Sequence, residues 1–325
     1  MDRVLELGVG VIGQLASPSI SVFWGYLLSA AAIAGVLWWR RTPPSARSWR
    51  AALAFVAPPA VWRNRSTWHD FALFVINTLV YSLLLLPTLS LISVTVGRGT
   101  WAVLLDTFGP HAWRLDGPGA VVAMTVAVVV VADFAFFVAH WLQHRFAILW
   151  AFHKVHHSAT VLQPLTVLRR HPVDIVFEGA ISGALLGALY GASGYLAGEV
   201  VTVHTILGTN AILFAFLLLG FNLQHSHVWW SFGPLDRVFI SPAAHQIHHS
   251  TAQEHFDKNM GNMLSIWDRI AGTYVAPSAR GAVTVGLGPA EDRRYRTLFR
   301  LYLVPLVDAA REVARAGNVL RRWLH

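Results

Sequence analysis

An all-α, polytopic membrane helix bundle with a cytoplasmic helical cap is the fold class this sequence predicts, and three observations carry it. The 325 residues are 55% hydrophobic and only 13% charged, with a mean hydropathy of +0.50; that is a membrane composition, not a soluble core. Five apolar stretches are long enough to cross a bilayer, at about 20–39, 71–96, 119–139, 175–196 and 199–221. Three helix-spaced histidine clusters accompany them: His140-Trp-Leu-Gln-His144, His153-Lys-Val-His156-His157 and His245-Gln-Ile-His248-His249.

In chain order, the sequence divides into an N-terminal membrane region (1–118), a histidine-bearing region (119–276) and a basic helical tail (277–325). Asp2 and Arg3 precede a modest apolar run to Ala16, without the basic start or cleavage site of a signal peptide, so this segment reads as a short interfacial helix. Arg40–Ser48 is a Pro/Ser/Arg-rich linker after the first span. The third span runs on as helix into the cytosol through His140 and His144. Little polar sequence separates the last two spans, which form a hairpin turning near Ala197–Gly198, either spanning or re-entrant. The tail Arg293–Arg322 is basic and partly amphipathic; it suits a membrane surface better than an acidic partner.

Charge orients the bundle. With five spans and the N-terminus outside, the inner segments 40–70, 140–174 and 222–325 hold 6, 4 and 12 Lys/Arg, which is 22 of the 25. Only Arg3, Arg98 and Arg114 stay outside, so the positive-inside rule puts all three histidine clusters and the C-terminus on the cytoplasmic face. The net charge of +8 is therefore explained by anionic lipid and needs no nucleic acid. Cysteine is absent, which excludes disulfides, thiolate haem ligation and cysteine-bound iron–sulfur clusters. Fourteen tryptophans, among them Trp24, Trp38, Trp39, Trp68, Trp101 and Trp113 near span ends, fit an interfacial belt. Arginine heavily outnumbers lysine, a compositional pointer to a bacterial inner membrane.

The histidines carry the chemistry. An isolated HxxxH arises about once by chance in such a chain, whereas two HxxHH clusters are expected well below ~0.01 times. Residues at i, i+3 and i+4 share one helical face, so each cluster is expected to aim its imidazoles at a single point. Asp133, His140 and His144 lie on one stripe, and a carboxylate within an apolar span needs a partner. Asp133 is therefore expected to accept from a ligand imidazole and hold its tautomer. A short break after Arg145 would fold the second cluster back on the first, with Lys154 and Val155 off the ligand face. Ser241-Pro242 would open the helix of the third cluster. His225 is a candidate ninth ligand and His227 a weaker one. His171, before Pro172, suits a helix cap or site wall better than ligation. His255 is a candidate supporting residue; His69, His111, His204 and His325 read as interfacial or packing residues.

Imidazole suits zinc, copper, iron and nickel, so ligand type does not name the metal. Eight or nine histidines fit two ions at four or five each. No glutamate lies inside a cluster as in HExxH, and Glu-x-x-His, the mark of carboxylate-bridged di-iron bundles, is missing.

The order HxxxH, HxxHH, HxxHH on a multi-span chain resembles the sterol desaturase/fatty acid hydroxylase superfamily. The flanks agree: Leu149-Trp-Ala-Phe-His153-Lys-Val-His156-His157-Ser158, Arg170-His171-Pro172, Gln224-His225-Ser226, Asn259-Met-Gly261 and Trp267-Asp268-Arg-Ile-Ala-Gly272-Thr-Tyr274. The likeness runs from about Asp133 to Tyr274. It implies a non-haem di-iron site at the cytoplasmic membrane face, using O2 against a C–H bond of a lipid to give an alcohol or an alkene. It implies His140, His144, His153, His156, His157, His245, His248 and His249 as iron ligands, His225 with them, and Asn259 and Asp268 as supporting residues. Trp141 departs from the arginine common after the first histidine, and His227 stands where asparagine is common.

The residues agree with that implication, because an unactivated C–H bond offers no handle for acid–base catalysis. A bilayer-dissolved substrate could enter between spans, along an apolar tunnel lined by residues such as Phe134, Phe136 and Phe137. Gly8-Val-Gly10-Val-Ile-Gly13 matches GxGxxG but lacks the acidic residue about 20 positions on that a dinucleotide fingerprint carries, and no haem or flavin module is recognisable, so electrons should come from a separate cytochrome b5- or ferredoxin-like partner with its reductase. Two other readings stay open: a histidine-rich membrane metal-binding or transport protein without redox chemistry, and a membrane cytochrome b. The sequence leaves open which lipid, which carbon and whether hydroxylation or desaturation occurs.

Overall fold

The computed structural model describes residues 13–110, 116–199 and 201–323. The interfacial helix expected up to Ala16 falls largely outside them, as do Arg3, His111, Trp113, Arg114 and His325. The described chain is mostly helical. α1 (Trp24–Arg41) and α2 (Trp49–Val56) lead to α3 (Arg65–Val80). A π-helical turn, Tyr81–Leu85, joins α3 to α4 (Leu86–Phe108). Pro87 explains the turn: lacking an N–H, and with its ring against the preceding turn, it forbids a regular α ladder there.

Then come α5 (Gly117–Arg145), α6 (Ala147–His157), α7 (Pro172–Ala197), α8 (Ala211–Leu218), α9 (Pro242–His248), α10 (Ile266–Ala271) and α11 (Leu298–Trp323). Among the described residues the one sheet is a two-stranded hairpin pairing Thr205–Ile206 with Thr209–Asn210.

Three helices, α4, α5 and α7, are long and apolar enough to cross a membrane, and the chain is an integral membrane protein. Five spans are therefore not confirmed. The first is helical, but α1 ends in Arg40 and Arg41, and its mean hydropathy is low for a span. It packs Ala30 and Ala34 against Leu223 and Val228, beside the histidine region. The second begins later than expected. α3 carries Asp70 and Asn77, which bond to Arg169 and to the Arg170 carbonyl, so only α4 is apolar enough to span. The fifth is not a continuous helix: only Ala211–Leu218 is helical, and eight residues rise about 12 Å against a hydrocarbon core of about 30 Å. α7 does end where the hairpin turn was expected, with Gly198 as a left-handed cap at φ 74°.

Close backbone approach holds α4 to α7. α7 presents Gly179, Gly183, Gly187 and Gly191 at four-residue spacing, one stripe against α4. A Cβ on Gly187 would sit 2.4 Å from the Ser93 carbonyl oxygen, and one on Gly191 only 2.2 Å from that of Gly97. On the histidine side, Leu73 of α3, Val155 of α6 and Tyr295 and Leu301 at the start of the tail form one fully buried cluster. Each such aliphatic side chain contributes roughly 1.5–3 kcal/mol. Asp70 and Arg169, both almost fully buried, form an ion pair at 2.9 Å. Arg169 also donates to the Val155 and Ser158 carbonyls at the end of α6, so this pair anchors the second histidine cluster to α3.

Candidate metal centre

Four local breaks aim the clusters. α5 runs unbroken through His140 and His144 and stops at Phe146, whose extended backbone (φ −108°, ψ 119°) lets α6 fold back at once. Ser241 caps α9 by accepting from the Ala244 N–H, with Pro242 in the first turn, as expected. His171 caps α7: its Nδ1 accepts from Val173 N–H at 3.2 Å and its Nε2 donates to the Tyr302 carbonyl at 3.2 Å. A 3-10 turn, Phe221–Leu223, carries His225 inward.

The result is two adjacent histidine groups. His140, His144, His153, His157 and His248 form one; His156, His225, His245 and His249 form the other, with ligand-capable nitrogens within 4.8 Å of one another in each group. All eight clustered histidines and His225 are therefore brought together. The expectation that each cluster converges on one point fails for both HxxHH sequences. His153 and His157 serve the first group while His156 serves the second; His245 and His249 serve the second while His248 serves the first. Helix geometry explains the split. Residues at i and i+4 lie about 40° apart around the axis, whereas neighbours such as His156 and His157 diverge by about 100°.

The unpaired atoms fit a metal. In the five-membered group every Nε2 is buried without a hydrogen-bond partner. On the opposite edge of the ring, His140 Nδ1 donates to the Met260 carbonyl at 2.7 Å and His248 Nδ1 to the Lys258 carbonyl at 2.9 Å. His144 Nδ1 donates to Asp257 at 3.1 Å and His153 Nδ1 to Asp174 at 3.2 Å. Carbonyls and carboxylates only accept, so in these four rings the proton sits on Nδ1 and the Nε2 lone pair is left for a metal. In the four-membered group the Nε2 atoms of His156, His225, His245 and His249 approach at 3.1–3.3 Å. Four such atoms cannot all be satisfied by donating to one another; a shared cation satisfies them together.

Burial, and then the charge of neighbouring imidazoles, pushes His156, His157, His225, His248 and His249 well below the ordinary histidine range. The same causes bring His245 down to about 3. These rings are neutral at pH 7, which is the ligand form.

One loop does much of the positioning. Asp257, Lys258 and Met260 supply acceptors to His144, His248 and His140. Asp257 (φ 56°) and Asn259 (φ 52°) hold left-handed backbone, which Asp and Asn tolerate best among non-glycine residues. Asn259 touches no histidine; its amide bonds the Ala244 and Val275 carbonyls. Asp268 likewise acts at one remove, accepting from the N–H groups of Met260 and Gly261.

Asp133 departs from its expected part. It accepts from Met263 N, Leu264 N and Trp267 Nε1, clamping this segment onto α5 without touching an imidazole. Asp174 does what was expected of Asp133, and Asp257 does so for His144. Neither was legible as a partner, although Asp174 in the first turn after His171-Pro172 was a visible signal. Of the other candidates, His227 is outside both groups, its Nε2 donating to the Phe55 carbonyl at 2.7 Å. His171 and His255 are also outside them.

A cavity of about 530 Å³ ends on His140, His153, His156, His225 and His245. Phe74, Leu86, Phe136 and Phe221 give it apolar walls, and Tyr81 and Ser82 of the π turn line it too. Phe136 is thus a wall residue as expected. Phe134 instead packs on Trp267 at 5.0 Å and Phe137 is buried in the bundle, neither lining the cavity.

A family model, fatty acid hydroxylase, matches residues 125–273, the stretch that carries every histidine of both groups. Over that stretch the chain is similar to the fatty acid hydroxylase family. Ornithine lipid hydroxylase OlsE of Rhizobium tropici is 32% identical over 181 residues, covering 56% of this chain and 50% of its own length. Alkylglycerol monooxygenase of Homo sapiens is 29% identical over 148 residues, covering 46% and 30%. Delta(7)-sterol 5(6)-desaturase of Candida glabrata is 25% identical over 197 residues, covering 59% and 47%. The chain spans half or less of the length of these curated relatives. No solved structure matches it.

Proposed function

We propose that this chain is a membrane-bound, non-haem di-iron oxygenase that hydroxylates a C–H position of a lipid at the cytoplasmic membrane face. The observation that carries the proposal is the pair of adjacent, buried histidine groups, members of both of which line a cavity with apolar walls. On this reading His140, His144, His153, His157 and His248 hold one iron, and His156, His225, His245 and His249 the other. Two irons held there supply the oxidising power an unactivated C–H bond demands, drawing on O2 and external electrons.

The chain's own residues do the rest. Phe74, Phe136 and Phe221 exclude water and lay the substrate against the histidines. Met260, Lys258, Asp257 and Asp174 fix ring orientation and keep the proton on Nδ1. The cavity's π-turn wall, at the start of a spanning helix, suits entry of a substrate already dissolved in the bilayer. Charge supports the cytoplasmic orientation: residues 172–221 contain no Lys or Arg, and 86–139 contain only Arg98 and Arg114. A separate cytochrome b5- or ferredoxin-like protein would supply electrons. The ornithine lipid hydroxylase and the alkylglycerol monooxygenase are more similar to this chain than the sterol desaturase, which favours hydroxylation of a polar lipid; desaturation is the second reading. A metal transporter would need ligands spaced along the spans, whereas both groups sit together at one end.

The test is comparative lipid analysis of cells with and without the chain under 18O2, with metal analysis of the purified protein. About two irons per chain and one labelled oxygen in a lipid product are expected. His156→Ala and His248→Ala should each lose iron and labelling while still inserting in the membrane. Normal labelling in either variant would overturn the proposal.

A further inference from the structure

A second cavity, about 250 Å³, lies in a groove between α6 and α11. Its lining is unusual in charge: Lys154, Arg294, Arg311 and Arg315 against Asp308 and Glu312. Lys154 and Arg294 are partly buried and paired, with Glu291 at 3.5 and 3.0 Å and, for Arg294, with Asp308 as well; the free positive charge is at the rim. Arg311 and Arg315 are 64% and 73% exposed, and their partners are three residues away on the same helix. Such pairs stabilise little and leave the positive field available.

The groove's remaining feature is Trp150, which also touches the metal centre. Its ring centroid lies 4.8 Å from that of His144, 5.2 Å from His157 and 6.1 Å from His153, all members of the five-histidine group. Helix spacing places it there: Trp150, His153 and His157 stand at i, i+3 and i+7 on one face of α6. One aromatic side chain therefore joins a cationic surface to buried imidazoles.

The opposite side of α11 shows which phase the groove faces. Phe299, Leu303, Leu306 and Val313 are exposed and share one helical stripe. Asp308, Arg311 and Arg315 fall roughly opposite at about 100° per residue. An apolar stripe against the bilayer would leave the groove to the aqueous side.

We propose that this groove docks an acidic, water-soluble one-electron carrier protein, and that Trp150 bridges the docked carrier to the five-histidine group. The inference rests on the oxygenase reading, whose balance requires it. One C–H bond and O2 give one C–OH and one water only with two added electrons and two protons. Two carrier encounters deliver one electron each, and the protons come from water. Cationic surfaces of this kind raise encounter rates and make them salt-dependent.

The experiment uses the iron-loaded protein in nanodiscs and soluble cytochrome b5 as the probe, its oxidation followed by stopped flow in the Soret band. Oxidised cytochrome b5 binding to metal-free protein gives a second readout that does not depend on turnover. For the unsubstituted chain, the second-order rate should fall steeply with added KCl. Arg311→Glu/Arg315→Glu should lower it about ten-fold at low salt and flatten the salt dependence, with matching loss of binding. Trp150→Leu should slow electron entry at saturating carrier while iron content and reduction by dithionite stay normal, and Trp150→Phe should recover part of the rate.

Unchanged rates and salt response in the charge-reversal variant would overturn the docking site, as would unchanged binding of oxidised cytochrome b5 to its metal-free form. Equal rates in Trp150→Leu and the unsubstituted chain would overturn the bridge. In both cases iron loading and dithionite reduction would leave the di-iron reading standing. Failure of the unsubstituted protein to hold iron would overturn that reading and this inference together.

Discussion

Asp174→Asn is the sharpest probe of how the site is held. The carboxylate is fully buried; one oxygen accepts from Gln143 Nε2 and from His153 Nδ1 at 3.2 Å, the other from Arg170 Nε at 2.7 Å. Asparagine keeps the shape but removes the charge and turns one acceptor into a donor. Whichever way the amide faces, it meets N–H groups, so either Arg170 or the His153–Gln143 side loses its partner. Hydrogen bonds to charged groups contribute about 1.5–3 kcal/mol each, so folding stability should drop by roughly that amount. Arg170 keeps Glu178 at 2.8 Å, so the variant should still fold.

The guanidinium of Arg170 cannot accept from the new NH2 and holds the amide oxygen, so His153 loses its Nδ1 acceptor, its tautomer is freed, and iron affinity should fall about 10–100-fold. Chelator competition against purified protein measures the affinity, and thermal unfolding with and without iron measures stability. An affinity within about two-fold of the unsubstituted protein would refute the claim that Asp174 sets this ligand.

Three further outcomes follow from the same geometry. His225→Ala should lower bound iron, whereas His227→Ala should leave metal content unchanged, because only His225 joins a group and His227 bonds the Phe55 carbonyl; metal analysis decides between them. Gly187→Val should destabilise the membrane bundle by at least ~1–3 kcal/mol through overpacking, read as a lowered unfolding temperature, since even a Cβ would meet the Ser93 carbonyl. The metal-free protein should be acid-labile. His245 titrates near 3 when folded and near 6.5 when unfolded. Above the unfolded value both states are neutral, and below it only the unfolded state gains the proton. Stability is therefore lost as pH falls, about 2 kcal/mol from pH 7 to 5 from this residue alone. A flat stability profile of metal-free protein over that range would contradict the burial of these rings.

The sequence announced the membrane setting and the site's inventory because both are local. Apolar runs mark α5 and α7 by composition, and the clusters mark their ligands by spacing. The breaks at Phe146 and Ser241-Pro242 were also legible, since they rest on neighbouring residues. The first, second and fifth stretches are not confirmed as single spanning helices, because hydropathy counts side chains without their partners. Asp70 and Asn77 look tolerable in an apolar run until Arg169 and the Arg170 carbonyl are seen beside them. Residues 199–221 look like a span until the hairpin around Gly208 is seen to interrupt them.

By itself the sequence singled out eight clustered histidines, with His225 as a candidate ninth, as able to hold metal, and a helical, membrane-embedded fold around them. Only the tertiary structure decided how they divide, which carboxylates steer them and which aromatic ring reaches them from the surface. The physical reason is that helix periodicity sets the angle between neighbouring side chains, whereas the point at which His156 and His157 part company depends on where α5, α9 and the His225 turn stand.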